Sequence, residues 1–302
     1  MLLGSHRSIK DGLHNALLAA GRLGFRTAGL FVRNQVQWRV PPLGDEAAAT
    51  FRRTRRRLGI SPVVAHGSYL VNLAGDEPVR SRSIEATAAD LERCGRLGIE
   101  YLVLHPGSRE DADEGVRLIA EAVNDILARV RARRPRLLLE TTAGMGRCIG
   151  HTFEQLAAIL ARTRRPGRVG VCLDTCHVFA AGYDLRTPAA YRKTMEHFGR
   201  VVGFERLRAI HLNDSIGGLG SRLDRHEHIG HGRIGRRGFA NFVNDPRLAD
   251  VPMILETPKK KDEHGRDWDE VNAEVLRGLV RGAGKSPRSR RPPRSRSKPG
   301  LL

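Results

Sequence analysis

Eight short runs of β-forming residues alternate with amphipathic segments along the chain, and this alternation limits the possible folds more than any other feature. The runs cover residues 2–6, 27–32, 62–67, 101–107, 136–142, 169–174, 207–214 and 252–258. Most intervals between them show apolar residues at helical spacing, for example at 11–24, 45–59, 83–98 and 110–133. Eight βα units in about 280 residues predict an α/β fold of the (β/α)8, or TIM, barrel type.

A doubly wound open sheet is the alternative arrangement of alternating strands and helices. Two observations oppose it, because the strands number eight and no GxGxxG follows the first of them. At the helix ends, Ser83 and Thr152 are predicted N-caps, and Gly98 is a predicted stop. We therefore predict a single barrel domain over residues 1–284.

The chain carries a strongly positive net charge. Of the +19 at pH 7, seven charges lie in residues 285–302, KSPRSRRPPRSRSKPGLL, which leaves +12 for residues 1–284. A basic body of this kind favours polyanionic partners, nucleic acid above all. Residues 285–302 have too little apolar content to become ordered on their own. We therefore predict a disordered basic tail, which either binds nucleic acid or is simply solvated.

The cellular setting is indicated by what the sequence lacks. It has no run of about 18 apolar residues, no N-terminal pattern typical of a secretory signal, and only four cysteines. These features predict a protein that does not associate with membranes and resides in a reducing cytoplasm. In GVCLDTCH (170–177), Cys172 and Cys176 are expected to line the barrel or to support nearby metal ligands, not to form a zinc knuckle or a redox pair.

Six consecutive predicted strands end in a polar side chain. From the third strand to the eighth, an apolar run ends in a histidine or an acid: His66, His105, Glu140, Asp174, His211 and Glu256. His177 follows the sixth strand closely. In a parallel barrel these ends converge on one face, where the active sites of such barrels lie. Burying so many ionisable groups without partners is costly, and carboxylate and neutral imidazole are ligands of divalent metals, so the pattern predicts a metal site.

The loop after the seventh strand adds further candidate ligands. In SRLDRHEHIGHGRIG (221–235), Asp224 and His226 are two residues apart, so an extended loop can direct both to one ion, with His228 and His231 as alternatives. With the seven residues at the strand ends, this makes nine candidates. Nine ligands exceed the need of one tetrahedral zinc and, with one bridging carboxylate, suit about three ions. Several zinc ions on a basic protein suggest hydrolysis of a phosphate ester.

Six motifs resemble those of the endonuclease IV family, the zinc-dependent apurinic/apyrimidinic endonucleases, whose barrel belongs to the xylose-isomerase-like superfamily. The motifs are HGSYLVNLA (66–74), LVLHPGS (102–108), LLLETTAGMGRCIG (137–150), GVCLDTCHVFAAGYDL (170–185), AIHLNDSIGGLGSRLDRHEHIGHGRIG (209–235) and ILETP (254–258). They follow the family's order along the chain and leave only the basic tail outside.

The resemblance implies a centre of three zinc ions, with manganese able to replace one. By position, His66 and His105 match ligands of the first ion, and Glu140 matches the carboxylate that bridges the first and second. The remaining matches are Asp174, His211 and Glu256 for the second ion, and His177, Asp224 and His226 for the third. Glu140 is also the residue expected to orient the attacking water and to help deprotonate it.

The implied reaction is that of a hydrolase of the deoxyribonuclease IV type in base excision repair. A monomer cleaves duplex DNA 5′ to an abasic site, leaving a 3′-hydroxyl and a 5′-deoxyribose phosphate, and also removes 3′-blocking groups. Tyr69 and Leu70 match residues that insert at the flipped-out nucleotide. Val36 stands where the family has an arginine that intrudes into the DNA stack, and we expect Arg33 or Arg39 to compensate for it.

The alternative function is that of a divalent-metal-dependent sugar isomerase, since such enzymes also place histidines and carboxylates at the strand ends of a related barrel. They typically have a catalytic lysine near the metal, whereas here no lysine stands at a predicted strand end before PKKKD (258–262). A third interpretation is a DNA-binding protein with a degenerate site, and the full set of nine candidates argues against it.

Overall fold

The computed structural model of the chain describes residues 1–39 and 41–281, and within them the predicted (β/α)8 barrel is confirmed. Eight parallel strands form the barrel: β1 (Leu2–Ser5), β2 (Ala28–Phe31), β3 (Val63–His66), β4 (Tyr101–Leu104), β5 (Arg136–Glu140), β6 (Val169–Asp174), β7 (Leu207–His211) and β10 (Pro252–Leu255). Between β7 and β10 the chain forms a small antiparallel pair, β8 (Asp214–Ser215) with β9 (His226–Glu227). This pair belongs to the long loop that contains the candidate ligands Asp224 and His226.

The sheet closes on itself where β1 meets β2. Its strand order is β1–β10–β7–β6–β5–β4–β3–β2, and a parallel bridge between His6 and Gly29 joins the two ends. Glycine is required on both strands at this seam. A Cβ on Gly4 would lie 2.2 Å from the carbonyl oxygen of Thr27, and one on Gly29 would lie 2.7 Å from Cγ2 of Ile254. A larger residue at Gly4 would therefore push β1 away from β2, and one at Gly29 would collide with the Ile254 side chain of β10.

Helices surround the barrel as an outer ring. They are α1 (Leu13–Arg22), α2 (Asp45–Leu58), α3 (Val79–Leu97), α4 (Ala112–Arg129), α5 (Phe153–Ala161), α6 (Thr175–Ala180), α7 (Pro188–Val201), α8 (Gly235–Val243) and α9 (Trp268–Gly278). Each long helix packs against the next one along the chain, and α5 packs against α7 because the short α6 lies at the end of the barrel. None of the helices in the described part of the chain is long and apolar enough to cross a membrane.

Two of the three predicted helix boundaries are confirmed. The Thr152 side chain accepts a hydrogen bond from the backbone N–H of Gln155 at the start of α5, and Gly98 ends α3 with a positive φ of 74°. The prediction for Ser83 was wrong, because α3 begins at Val79. Ser83 lies inside the helix, where its hydroxyl donates to the carbonyl of Val79, an interior bond that serine forms readily.

The hydrophobic core has two layers. The inner layer fills the barrel with six buried residues: Val64, Val103, Leu138, Cys172, Ala209 and Ile254. The outer layer fills the space between the strands and the helices. Cys172 thus lines the barrel, while Cys176 is buried in α6, and all four cysteines are free thiols. The predicted basic tail, residues 285–302, lies outside the described residues.

Candidate metal centre

The barrel brings the predicted ligands to the carboxyl ends of its strands. His66, Glu140, Asp174 and His211 are the last residues of β3, β5, β6 and β7, and His105 and Glu256 directly follow β4 and β10. Because neighbouring parallel strands are in register, these ends form one face of the barrel. The apolar residues that precede each ligand pack into the core, so the strand ends are held rigidly.

Two further elements complete this face. His177 lies in the first turn of α6, where the carboxylate of Asp174 accepts a hydrogen bond from its backbone N–H at 3.0 Å. The β8–β9 pair places Asp224 and His226 beside α6, and Nε2 of His177 is 3.1 Å from Oδ1 of Asp224. The alternative ligand His228 instead stacks on Trp268, with the ring centroids 3.9 Å apart.

Glu140 lies at the centre of the cluster and is fully buried. Its Oε2 atom is 3.1 Å from Nε2 of His66 and 3.2 Å from Nε2 of His105. Its Oε1 atom is 2.7 Å from Nδ1 of His211, and the same nitrogen is 3.3 Å from Oε2 of Glu256. The two oxygens of one carboxylate therefore face two different groups of donors.

Three of the histidines have one ring nitrogen occupied by a backbone carbonyl. Nδ1 of His66, His177 and His226 donates to the carbonyl of Gly67, Thr141 and Glu256, respectively, at 2.9, 2.8 and 3.3 Å. A carbonyl oxygen only accepts, so each Nδ1 carries a proton, and the Nε2 atoms of His66, His177 and His226 face the carboxylates of Glu140, Asp224 and Asp174, respectively. Metal-binding histidines are usually oriented in this way by a partner on the other ring nitrogen.

The donor set fits divalent metal ions. All nine predicted residues fall into four overlapping groups: His66–Glu140–His211, His105–His177–Asp224, Asp174–His177–His226 and Glu140–Asp174–His211–Glu256, and within each group the donor atoms lie within 4.8 Å of one another. Nε2 of His226 is buried and finds no hydrogen-bond partner among the described residues, and Nε2 of His177 faces only the carboxylate of Asp224, at 3.1 Å. A buried nitrogen in that state is costly unless something binds its lone pair, and zinc and related ions bind imidazole there.

Carboxylates and imidazoles lie close together in the cluster and shift each other's pKa values. Burial alone would raise the pKa of Glu140, but His211 and His105 outweigh it and hold that pKa well below its ordinary value. At Asp224, burial would likewise raise the pKa, but the neighbouring His177 and His226 outweigh this effect and lower the pKa to about 2. The pKa values of His66, His177 and His211 are raised, because neighbouring acidic groups outweigh their burial, and the carboxylates of Glu140 and Asp224 are ionised. A divalent cation would balance them equally well with the imidazoles neutral.

His6 belongs to this centre, although the sequence analysis did not single it out. It follows β1, its Nδ1 atom is 2.8 Å from Oε1 of Glu256, and its ring lies 4.6 Å from that of Phe31. Its position after an apolar strand, in LLGSH, is the same pattern that marked His66 and His211. The hydrogen bond fixes the orientation of the Glu256 carboxylate from the side away from His211.

The comparisons with known proteins agree with this geometry. Residues 17–279 match a protein family described as a xylose isomerase-like TIM barrel. A probable endonuclease 4 from Chloroflexus aurantiacus is 45% identical over 283 residues, which cover 93% of this chain and 98% of that relative. The crystal structure of endonuclease IV from Thermus thermophilus superposes with a TM-score of 0.83 at 39% identity, covering 92% of this chain and 98% of that one.

The chain belongs to the endonuclease IV family. A D-tagatose 3-epimerase-like protein also superposes, with a TM-score of 0.70 over 92% of this chain and 97% of that one, but its identity is 18%. That likeness shows the barrel fold and no more. The sugar-enzyme alternative thus has the support of the fold alone.

In this member of the endonuclease IV family, exposed apolar side chains stand on loops around the metal centre. Tyr69 is 66% exposed and Val36 is 63% exposed, while Leu70 is half-buried. The hydroxyl of Ser68 donates to the carbonyl of Gln35 at 2.6 Å and so ties the two loops together. The predicted contact residues Tyr69, Leu70 and Val36 therefore share one rim of the centre.

The two arginines expected to compensate for Val36 occupy different surroundings. Arg39 is exposed, whereas Arg33 is only 6% exposed and its Nε atom donates to Oδ1 of Asp90 at 2.6 Å. The Arg33 guanidinium also donates to the carbonyl of Gln37 and thereby supports the loop from beneath. Direct contact with a partner by either arginine stays a prediction.

Proposed function

We propose that this protein is a metal-dependent DNA-repair endonuclease that acts as a monomer and hydrolyses duplex DNA on the 5′ side of abasic sites. The observation that carries the proposal is the convergence of nine donor residues on one face of the barrel, with their donor atoms within 4.8 Å in overlapping groups. Relatives named probable endonuclease 4 support nuclease activity, and the resemblance of the six motifs suggests abasic DNA as the substrate. Removal of 3′-blocking groups would use the same site, since it also breaks a phosphodiester.

The nine residues would hold three zinc ions. His66, His105 and Glu140 would hold the first, Glu140 with Asp174, His211 and Glu256 the second, and His177, Asp224 and His226 the third. Support for Glu140 as the bridge comes from its two oxygens, of which one faces His66 and His105 and the other faces His211. When bound, such ions supply Lewis acidity toward the phosphate and lower the pKa of coordinated water to about 7. Manganese at one position is compatible with the same donors.

The protein's own residues would orient the reacting groups. Glu140 is buried and held by histidines on both sides, so its carboxylate is placed to accept a proton from the attacking water. His6 holds the Glu256 carboxylate, and the carbonyls of Gly67 and Thr141 hold the rings of His66 and His177. This rigid support is what positions a reactant for in-line attack on phosphorus.

The exposed rim would recognise the damaged duplex. Tyr69 and Leu70 follow His66 by a few residues, and Val36 stands on the loop that Ser68 ties to theirs. Apolar side chains on such a rim can occupy the gap left in the base stack when a nucleotide is turned outward. The position of the rim beside the metal centre would then bring the phosphate of the turned-out nucleotide to the ligands.

The test of this function is cleavage of a labelled duplex that contains one tetrahydrofuran abasic analogue. We expect a nick on the 5′ side of the analogue that a DNA polymerase can extend, which identifies the 3′-hydroxyl. The analogue cannot undergo β-elimination, so cleavage of it separates hydrolysis from lyase chemistry. An intact duplex is the control, and failure to nick the analogue would contradict the proposal.

Replacing Val36 with arginine is expected to tighten binding to abasic duplex by about 3- to 10-fold at low salt, because one added positive charge on the rim can contact a phosphate or base edge. Binding is measured by fluorescence anisotropy on abasic and intact duplexes. Val36→Met is the matched control, since it adds bulk without charge and should leave affinity nearly unchanged. Equal or weaker binding by the arginine variant would count against a role of this position in DNA contact.

A further inference from the structure

A large cavity lies outside the metal centre, between the loop after β2 and the outer face of α3. Its volume is about 680 Å³. The loop contributes Arg33, Trp38 and Arg39, and α3 contributes Arg82, Glu85, Ala86, Ala89, Asp90 and Arg93. None of these residues is among the nine predicted metal ligands. Arg33 and Arg39 were predicted to compensate for Val36, but the cavity that they help to form has no assigned role.

The wall of the cavity has an excess of positive charge. It carries four arginines against two carboxylates, and one of these, Asp90, already pairs with Nε of Arg33 at 2.6 Å. The other carboxylate, Glu85, is exposed to solvent. The side chains of Arg39 and Arg82 are also exposed and form no ion pair with any described residue. Two guanidinium groups are thus available to a ligand at the mouth of the cavity.

Arg33 adds an unpaired donor inside the structure. Its side chain is 4% exposed, its Nε and Nη1 atoms donate to Asp90 and to the carbonyl of Gln37, and its Nη2 atom has no partner within residues 1–39 and 41–281. A buried guanidinium N–H normally has an acceptor. Arg93 cannot supply one, because it is itself a donor and bonds to the carbonyls of Val32 and Pro41.

The loop that forms one wall also faces the candidate DNA-binding rim. Its residue Val36 is exposed on that rim, and the carbonyl of Gln35 accepts the hydroxyl of Ser68. Trp38, on the same loop, is half-buried and offers an aromatic wall to the cavity. The same loop therefore contributes both to the rim of the metal centre and to the wall of the cavity.

We propose that this cavity is a phosphate-binding subsite, which takes either a backbone phosphate of the bound duplex or the phosphate of a free nucleotide. Arginine donors in a planar fork match phosphate oxygens, and an aromatic wall suits the sugar or base attached to them. The duplex source rests on the proposed function, whereas the free-nucleotide source does not. In either case Arg39 and Arg82 bind the phosphate, and Arg33 and Arg93 hold the loop that forms the site.

The first measurement uses Trp38 as a reporter. The chain has two tryptophans, so Trp268→Phe leaves Trp38 as the only one. In this background, inorganic phosphate and dAMP are titrated while tryptophan emission is followed. The test variant is Arg39→Ser with Arg82→Ser, which spares the arginines that hold the loop. The control is Arg133→Ser with Arg134→Ser, which removes the same charge from exposed positions ahead of β5, at the opposite end of the barrel.

The second measurement is the salt dependence of binding to abasic duplex. Loss of one phosphate contact is expected to reduce the slope of log Kobs against log[salt] by about 0.9 in the test variant and not in the control. The difference should disappear when the duplex is shortened from the end that reaches the cavity. Circular dichroism melting confirms that both variants are folded.

The outcomes separate the two phosphate sources. A reduced slope that depends on duplex length supports the DNA backbone. A saturable change in Trp38 emission with phosphate or dAMP, weakened at least about tenfold in the test variant alone, supports a free nucleotide. The subsite is overturned if neither change is seen, or if the control variant shows the same loss. If the wild-type protein fails to nick abasic duplex, the proposed function fails, and the Trp38 titration still decides on the cavity.

Discussion

Glu140→Gln is expected to reduce cleavage of abasic duplex by more than about 100-fold while leaving DNA binding largely intact. Changing a group that only supports a metal ligand typically costs 10- to 100-fold, and Glu140 is predicted to be a ligand of two ions as well as the proton acceptor. The amide keeps the shape of the carboxyl but carries no charge between His66, His105 and His211. Single-turnover cleavage and anisotropy on the same duplex measure the two effects.

The chain offers a matched control for this change. Glu154 also pairs with a histidine, its Oε1 atom lying 2.7 Å from Nε2 of His197, but the pair is on the outer surface. Glu154→Gln makes the same chemical substitution and should retain full activity. Undiminished turnover in Glu140→Gln would remove Glu140 from the catalytic role. Equal loss of cleavage and of binding would instead indicate a damaged fold.

Removal of the metal is expected to abolish cleavage and to lower the melting temperature. Elemental analysis should find three zinc ions per chain before chelation and none after it. An ion present at a thousandfold its Kd stabilises the folded state by about 4 kcal/mol, which corresponds to roughly 6 °C in Tm for a chain of this size. The stabilisation arises because the buried carboxylates of the cluster then no longer depend on protonated imidazoles for charge balance.

Adding individual metals back to the metal-free protein distinguishes a zinc-dependent nuclease from a sugar-converting enzyme. Zinc should return full cleavage, whereas magnesium should not, since it prefers six oxygen ligands and binds imidazole poorly. The same zinc- and manganese-loaded protein is assayed for epimerisation of ketose sugars, and no turnover is expected. Cleavage that persists in verified metal-free protein, or one ion per chain with sugar turnover, would contradict the proposed function.

The sequence predicted the barrel well because each strand is marked locally by a short apolar run. The strand ends were less well predicted. The runs at 101–107 and 252–258 extend past the observed ends at Leu104 and Leu255. A parallel strand ends where its neighbours stop pairing with it, and those neighbours are distant in sequence. The helix α6 was also missed, because all six of its residues are buried and so show no amphipathic period.

The candidate site could be predicted to the extent that its residues stand at strand ends. Asp224 and His226 were found from their spacing, but the choice between His226 and His228 needed the β8–β9 pair and the stacking of His228 on Trp268. His6 shows the same strand-end pattern but was not singled out, and its contact with Glu256, 250 residues away, is visible only in the structure. The two meet only through the pairing of β1 with β10, which is a property of the closed barrel.

The separation of ligands from rim has an evolutionary consequence. Six of the nine predicted ligands stand at or directly after strand ends that the hydrogen bonds of the barrel hold in place, whereas Val36, Tyr69 and Arg39 stand on loops. A mutation on the loops of Val36 and Tyr69 would leave those six residues in place, so under the proposed function selection could alter recognition without loss of hydrolysis. Under the proposed function, valine at position 36, where the resemblance implies an arginine, is expected to be a substitution of this kind.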